Sequence, residues 1–274
     1  MRHLILHILL ISCLLLFNSH KGQCQEGFSE KIRIKTSAHS LSLDPLGDFY
    51  LYNDYQLEKY DPEGNLLYTY SNFLAGNIFF VDPADPFKVL VYYRDFSQVE
   101  VLNNTLSVSA DPILLQSYGL ELATLTCRSY NNGIWVYDAQ NFELVRLDPR
   151  LQKAESSGNI SKILGQGINP DFLTEKDNQV YLKDPEAGIL IFDKYGSYVK
   201  TMPINNSKTF QVIANKIYYY TEGQLFIYDN EKMSESYLKI DRNNVIDVKI
   251  SVDLKPERLF ILDKEYLYIL IKNQ

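Results

Sequence analysis

Residues 41–54 read Leu-Ser-Leu-Asp-Pro-Leu-Gly-Asp-Phe-Tyr-Leu-Tyr-Asn-Asp, and residues 55–70 continue Tyr-Gln-Leu-Glu-Lys-Tyr-Asp-Pro-Glu-Gly-Asn-Leu-Leu-Tyr-Thr-Tyr. Short apolar runs alternate here with two Asp-Pro-x-Gly turns and one tight Asn-Asp turn. That is the pattern of short antiparallel strands joined by hairpins. It predicts strands around 41–43, 49–52, 57–60 and 66–70, and later segments repeat the layout.

A second unit places strands near 78–81, 89–93, 99–102 and 106–109. The third has 122–128, 134–137, 144–147 and a looser strand near Lys153. A fourth runs through 172–175, 180–183, 189–192 and 198–202, and a fifth through 210–213, 217–220, 225–228 and 237–240. The sixth has only 246–252, 259–262 and 266–271. Asp54, Asp95, Asp138, Asp184, Glu222 and Asp263 each follow closely on the second strand of their unit, at spacings of 41, 43, 46, 38 and 41 residues. A second acid marker closes the third strand at Asp61, Asp148, Asp193 and Asp229, with Asn103 in its place in the second unit.

A period near forty residues with four strands per unit is the signature of propeller blades. Residues 31–36, Lys-Ile-Arg-Ile-Lys-Thr, alternate polar and apolar, read as a strand and have no local partner. They supply the strand that the sixth unit lacks, and pairing them with the last blade removes two sheet edges at once. The expectation is an all-β, six-bladed β-propeller with four-stranded antiparallel blades. The blades fall approximately at 39–72, 77–115, 119–160, 168–206, 209–240 and 244–272 plus 31–36, one domain over 31–272.

Composition agrees with a strand-rich chain. Among 274 residues, 46% are hydrophobic, with 21 Tyr, 14 Phe and a single Trp, residues that suit pleated, half-buried surfaces. Residues 1–24 pair an early Arg2 with an apolar run from Leu4 to Phe17, too short to span a bilayer and interrupted by His7. They read as a signal peptide, so the chain is expected to be exported: periplasmic, on the cell surface or secreted. Lipidation of Cys24 is the alternative to cleavage there. No transmembrane segment is expected after cleavage.

Cleavage would leave His39 as the one imidazole and Cys127 as the one thiol. An internal disulfide and a His/Cys zinc site are then excluded by count. The formal charge of −7 becomes two units more negative with the loss of Arg2 and Lys21. That disfavours nucleic acid and anionic membrane as partners.

The stretch at 41–54, with Leu57-Glu-Lys-Tyr-Asp-Pro-Glu-Gly-Asn-Leu66, resembles the NHL repeat, and Ile189-Leu-Ile-Phe-Asp-Lys-Tyr-Gly-Ser-Tyr198 resembles its second half. The other units keep the apolar spacing and lose the glycine. The resemblance implies a six-bladed propeller of the NHL or TolB-like kind. That group holds binding modules, scaffolds and a few enzymes, metal-dependent lactonases and an amidating lyase among them, so it transfers no activity.

Six acids at equivalent positions, Asp54, Asp95, Asp138, Asp184, Glu222 and Asp263, could form a negative rim on one face; turn capping explains them more simply. Arg94 and Arg128, near strand ends, are candidate anion contacts. A calcium-dependent hydrolase, lactonase or lyase would need oxygen ligands about the axis. Asp171, Glu175 and Asp247 are the first-strand candidates, though their spacing does not unite them. Tyr92, Tyr93 and Tyr218–Tyr220 hint at carbohydrate or cell-wall binding, but in alternating strands they pack first. Gly165-Gln-Gly167 lacks the following helix that a phosphate site requires. Asn103, Asn159 and Asn205 open glycosylation sequons. With no catalytic residue or cofactor assigned, the expected function is a binding or scaffold module for a protein, with the calcium-dependent enzyme and the carbohydrate binder as alternatives.

Overall fold

The computed structural model describes residues 27–273. Their strands form six four-stranded antiparallel sheets, five of them simple meanders and the sixth completed by the first strand, arranged as the blades of a propeller. Blade 1 is β2 (Ser40–Leu43), β3 (Phe49–Tyr52), β4 (Leu57–Tyr60) and β5 (Leu66–Tyr70). Blade 2 is β6 (Ile78–Asp82), β7 (Val89–Tyr93), β8 (Gln98–Leu102) and β9 (Ile113–Leu114), and blade 3 is β10 (Ala123–Ser129), β11 (Gly133–Asp138), β12 (Glu143–Leu147) and β13 (Lys153–Ser156). Blade 4 contains β14 (Phe172–Lys176), β15 (Gln179–Asp184), β16 (Gly188–Asp193) and β17 (Tyr198–Met202); blade 5 contains β18 (Phe210–Ile213), β19 (Lys216–Thr221), β20 (Gln224–Asp229) and β21 (Ser234–Lys239). Blade 6 joins β22 (Val245–Ser251), β23 (Arg258–Asp263) and β24 (Tyr266–Lys272) to β1 (Phe28–Lys35), which pairs antiparallel with β24.

Each core cluster of apolar side chains fills the gap between two neighbouring blades. Tyr50, Tyr52 and Leu57 pack on Val81, Val89 and Val91 between blades 1 and 2, while Phe49, Leu51 and Tyr60 pack on Phe260, Leu262 and Ile269 between blades 1 and 6. The other four gaps are filled in the same way. A second strand therefore buries both of its faces, which is why it reads as an unbroken apolar run rather than an alternation. The signal peptide expected at 1–24 lies outside the described residues.

The second acid marker is a repeated turn at Asp61, Asp148, Asp193 and Asn103, and Asp44 makes the same turn after a first strand; Asp229 departs from it, accepting from the N–H groups two and three residues ahead. Asp44, Asp61, Asn103, Asp148 and Asp193 each accept, on one side-chain oxygen, the backbone N–H groups two and four residues ahead. The residue three ahead sits at positive φ every time: Gly47, Gly64, Leu106, Leu151 and Gly196. Leucine tolerates that conformation less well than glycine. Leu106 is almost fully buried in the blade 1–2 core, so packing offsets the strain there.

One local expectation changes. The outer strand of blade 2 lies at Ile113–Leu114, paired with Gln98 and Val99, rather than at 106–109; the Asn103 turn bends the chain away after one bridge between Leu102 and Val108. The loop after β13 contains a short helix, α1 (Ile160–Leu164), capped by the Asn159 side chain accepting from Lys162 N at 2.8 Å.

Candidate functional site

A four-stranded meander sends its turns alternately to the two ends of the ring. Turns between second and third strands, together with the connections from one blade to the next, form one face, here called the connection face. Asp54, Asp95, Asp138, Asp184, Glu222 and Asp263 all belong to it by position. Their environments differ. Asp138 and Asp184 are buried, at 1% and 2% exposure. Asp138 accepts from Gln140 N and Asn141 Nδ2, and Asp184 from Glu186 N, Ala187 N and Asn169 N. Asp263 accepts from Glu265 N and Tyr266 N. Asp95 accepts from Asn77 N at 3.3 Å, and Glu222 occupies a two-residue turn with Gly223, both at positive φ. Asp54 faces His39, with Oδ1 2.9 Å from Nε2.

Arg94 and Arg128 stand at opposite ends of the ring, because one follows a second strand and the other nears the end of a first strand. The Arg94 guanidinium lies 3.3 Å from the centroid of the Phe79 ring and donates to Thr124 O, and burial pulls its pKa below the usual range. Arg128 is held by Asp85 at 2.9 Å and donates to Asn132 Oδ1.

The first strands of blades 1, 2, 4, 5 and 6 surround an axial cavity of about 370 Å3. Phe80, Phe172 and Phe210 meet edge to face at 5.5 and 5.1 Å, giving the cavity an aromatic wall. The cavity is also lined by a polar knot, in which Lys249 Nζ donates to Thr209 Oγ1 at 2.6 Å and Thr209 donates to Asp247 Oδ1 at 3.1 Å. Tyr52, close by and beside Ser42 and the Val81 backbone, has its pKa pushed up to about 12 by burial. His39 and Ser40 also line the cavity. His39 Nδ1 is 3.1 Å from the Ser40 hydroxyl, so Ser40, His39 and Asp54 form a hydrogen-bonded string. His39 and Asp54 are about half exposed, so water competes for this string and it lacks the desolvation that sharpens a nucleophile relay.

Asp171, Glu175 and Asp247 all line this cavity, yet each already has a partner. Asp171 pairs with Lys183 at 2.7 Å. Glu175 accepts from Trp135 Nε1 at 2.7 Å and Tyr130 N at 3.0 Å, tying blade 4 to blade 3. Asp247 belongs to the Thr209–Lys249 knot. Among the described residues, no three His, Cys, Asp or Glu converge closely enough to hold a metal ion.

Tyr92 and Tyr93 are buried, donating to Ala123 O and Glu100. Tyr218 and Tyr220 face blade 6, while Tyr219 stacks on Phe226 at 5.2 Å. Cys127 is buried between blades 3 and 4, where burial pushes its thiol pKa well up.

The sequence reading missed an apolar patch on the connection face. Tyr55 lies in the β3–β4 turn, Phe73 and Leu74 in the connection from blade 1 to blade 2, and Phe96 in the β7–β8 turn. All four are exposed, Phe73 at 73% and Leu74 at 93%. The Tyr55 and Phe73 rings lie 6.0 Å apart. The Phe96 ring and Asp95 crowd Gly76, which ends the connection at positive φ. Tyr55 and Phe73 are thus neighbours although far apart in sequence, and Phe96 lies against the same connection that carries Phe73 and Leu74.

Among the described residues, no helix is long and apolar enough to cross a membrane. No protein-family model matches the chain, and no curated protein matches it either. Solved structures match it in shape. Virginiamycin B lyase from Staphylococcus aureus shares 9% identity over 88% of this chain and 99% of its own, with a TM-score of 0.59. The Pan2 WD40 domain of Neurospora crassa shares 10% identity over 86% of this chain and 75% of its own, TM-score 0.56. The extracellular domain of the putative one-component system BT4673 from B. thetaiotaomicron shares 12% identity over 85% of this chain and 32% of its own, TM-score 0.55. At such identities the likeness is one of fold: the chain is a six-bladed β-propeller whose shape is shared by a lyase, a WD40 domain and a bacterial extracellular domain.

Proposed function

We propose that this chain is an exported, non-enzymatic propeller that binds another protein through the connection face of blades 1 and 2. The observation that carries the reading is the cluster of Tyr55, Phe73, Leu74 and Phe96. Solvated loops carry polar residues unless an apolar surface is used, and a contiguous apolar patch is the usual mark of a protein contact. Export is supported by the leader-like residues 1–24 alone. The test is co-purification from the native envelope or secreted fraction. A Phe73→Ser, Leu74→Ser variant that keeps its melting temperature should lose a partner that the unaltered chain retains. An unchanged set of partners would count against the reading.

The competing reading, a calcium-dependent hydrolase or lyase, is favoured by Asp171, Glu175 and Asp247 lining one cavity. Each would have to give up the partner it already holds. Calorimetric titration of calcium separates the two. Heat of binding with a raised melting temperature supports the cation, and the absence of both supports the protein-binding reading.

A further inference from the structure

Every blade presents an outermost strand whose second edge is open, and such edges are templates for pairing unless something blocks them. Five of the six carry a block. β1 has Glu30, Lys31, Arg33 and Lys35; β13 has Lys153 and Glu155; β17 has Lys200; β21 has Glu235 and Lys239; and β9 is only two residues long. β5 has none. It is Leu66-Leu-Tyr-Thr-Tyr70, five residues without charge, proline or glycine, and four of them are exposed to solvent. Leu66, Leu67 and Tyr68 are among the large apolar side chains left exposed. β4 covers one edge of the strand and, among the described residues, no strand meets the other.

We propose that two copies of this chain associate through β5, edge to edge and antiparallel, joining their first blades into one eight-stranded sheet. The occupant is a second copy because the strand is complementary to itself. A two-fold axis at Tyr68 sets Leu66 against Tyr70 and Leu67 against Thr69 of the other copy, with the two Tyr68 residues opposed. Every pair includes a tyrosine or threonine, which favour strands, and no like charges meet. The other four long outer strands would each bring charged side chains into such a seam. Backbone hydrogen bonds would supply the attraction, as in strand addition generally. The seam uses the outer rim of blade 1 and is independent of the partner-binding reading, which can fail while the seam holds.

Sedimentation of the chain from low to high micromolar concentration tests this. The expected result is a monomer–dimer equilibrium, with Tyr68→Lys raising the dimer dissociation constant at least about tenfold because two lysines would then face each other. Leu67→Lys serves as the second variant should Tyr68→Lys fail to fold. Hydrogen exchange on the unaltered chain adds a readout that needs no variant: amides within 66–70 should gain protection as concentration rises. A chain that stays monomeric throughout, a dimer indifferent to both lysines, or unchanged exchange at 66–70 would overturn the proposal.

Discussion

Glu30 and Arg242 meet at 2.6 Å across 212 residues of chain, with side chains only 11% and 8% exposed. Glu30 lies on β1, the strand that completes blade 6, and Arg242 lies in the connection leading into that blade. The same glutamate also holds Arg33 at 2.8 Å, and the Arg242 guanidinium stacks 3.6 Å from the Tyr268 ring centroid. Ring closure thus rests on a buried ion pair as well as on the β1–β24 ladder.

Removing one partner of a buried pair strands the other, at roughly 3–5 kcal/mol where nothing replaces it. Glu30→Ala leaves Arg242 without its carboxylate and should cost about 3 kcal/mol, while Arg242→Ala leaves Glu30 with Arg33 and should cost about half as much. Chemical denaturation of both variants and the double variant checks the order. Deleting residues 28–35 should abolish cooperative melting, and an unaltered transition would contradict closure by β1.

The repeated Asp turn makes stability depend on pH. Burial alone would raise the Asp61 pKa, but hydrogen bonds from the Asn65 side chain and from the backbone of Asn65, Glu63 and Gly64 outweigh it and hold the pKa below the usual range. Outside that turn, backbone hydrogen bonds from Lys232 and Glu231 do the same for Asp229. A carboxylate with a depressed folded-state pKa contributes stability that is present above its unfolded value, near about 3.9, and lost as pH falls through the folded one. Asn103 already makes the same turn bonds in blade 2. Asp61→Asn should therefore keep its turn while flattening the acid limb of a denaturation-versus-pH curve.

Two glycines at positive φ should respond unequally to alanine. A Cβ on Gly188, at φ +100°, would lie 2.2 Å from Met202 O, whereas one on Gly223, at φ +78°, meets nothing within 4 Å. Gly223→Ala should cost about 1 kcal/mol of backbone strain. Gly188→Ala must also move β17 away from β16, and should cost at least about twice that. Parallel thermal melts decide the order.

Cys127 should resist thiol reagents in the folded protein and react only on unfolding. Burial between blades 3 and 4 both shields it and pushes its thiol pKa well up. Rapid modification under native conditions would contradict that packing.

What was legible in the sequence follows from burial. Second and third strands such as Phe49–Tyr52 and Ile189–Phe192 lie between two blades and announce themselves as continuous apolar runs. Outer strands lie in solvent and carry no such constraint, so the one at Ile113–Leu114 was misplaced while Leu66–Tyr70 was found. Of the six acids, Asp138, Asp184 and Asp263 accept bonds within their own hairpin ends, whereas Asn53 does so in place of Asp54, and sequence position could not distinguish buried Asp138 from exposed Asp95. Phe73 and Leu74 looked like ordinary connection residues. The fold sets Phe73 beside Tyr55 and Phe96 against Gly76 of the same connection.

Protein binding through the connection face of blades 1 and 2, as proposed, places Leu74 at the contact and Met233 away from it. Photo-cross-linking from position 74, with Met233 on the opposite face as the control site, tests it most directly. A discrete adduct should form from position 74 in native extract and none from position 233. Equal yields from both sites, or no adduct from 74, would contradict it.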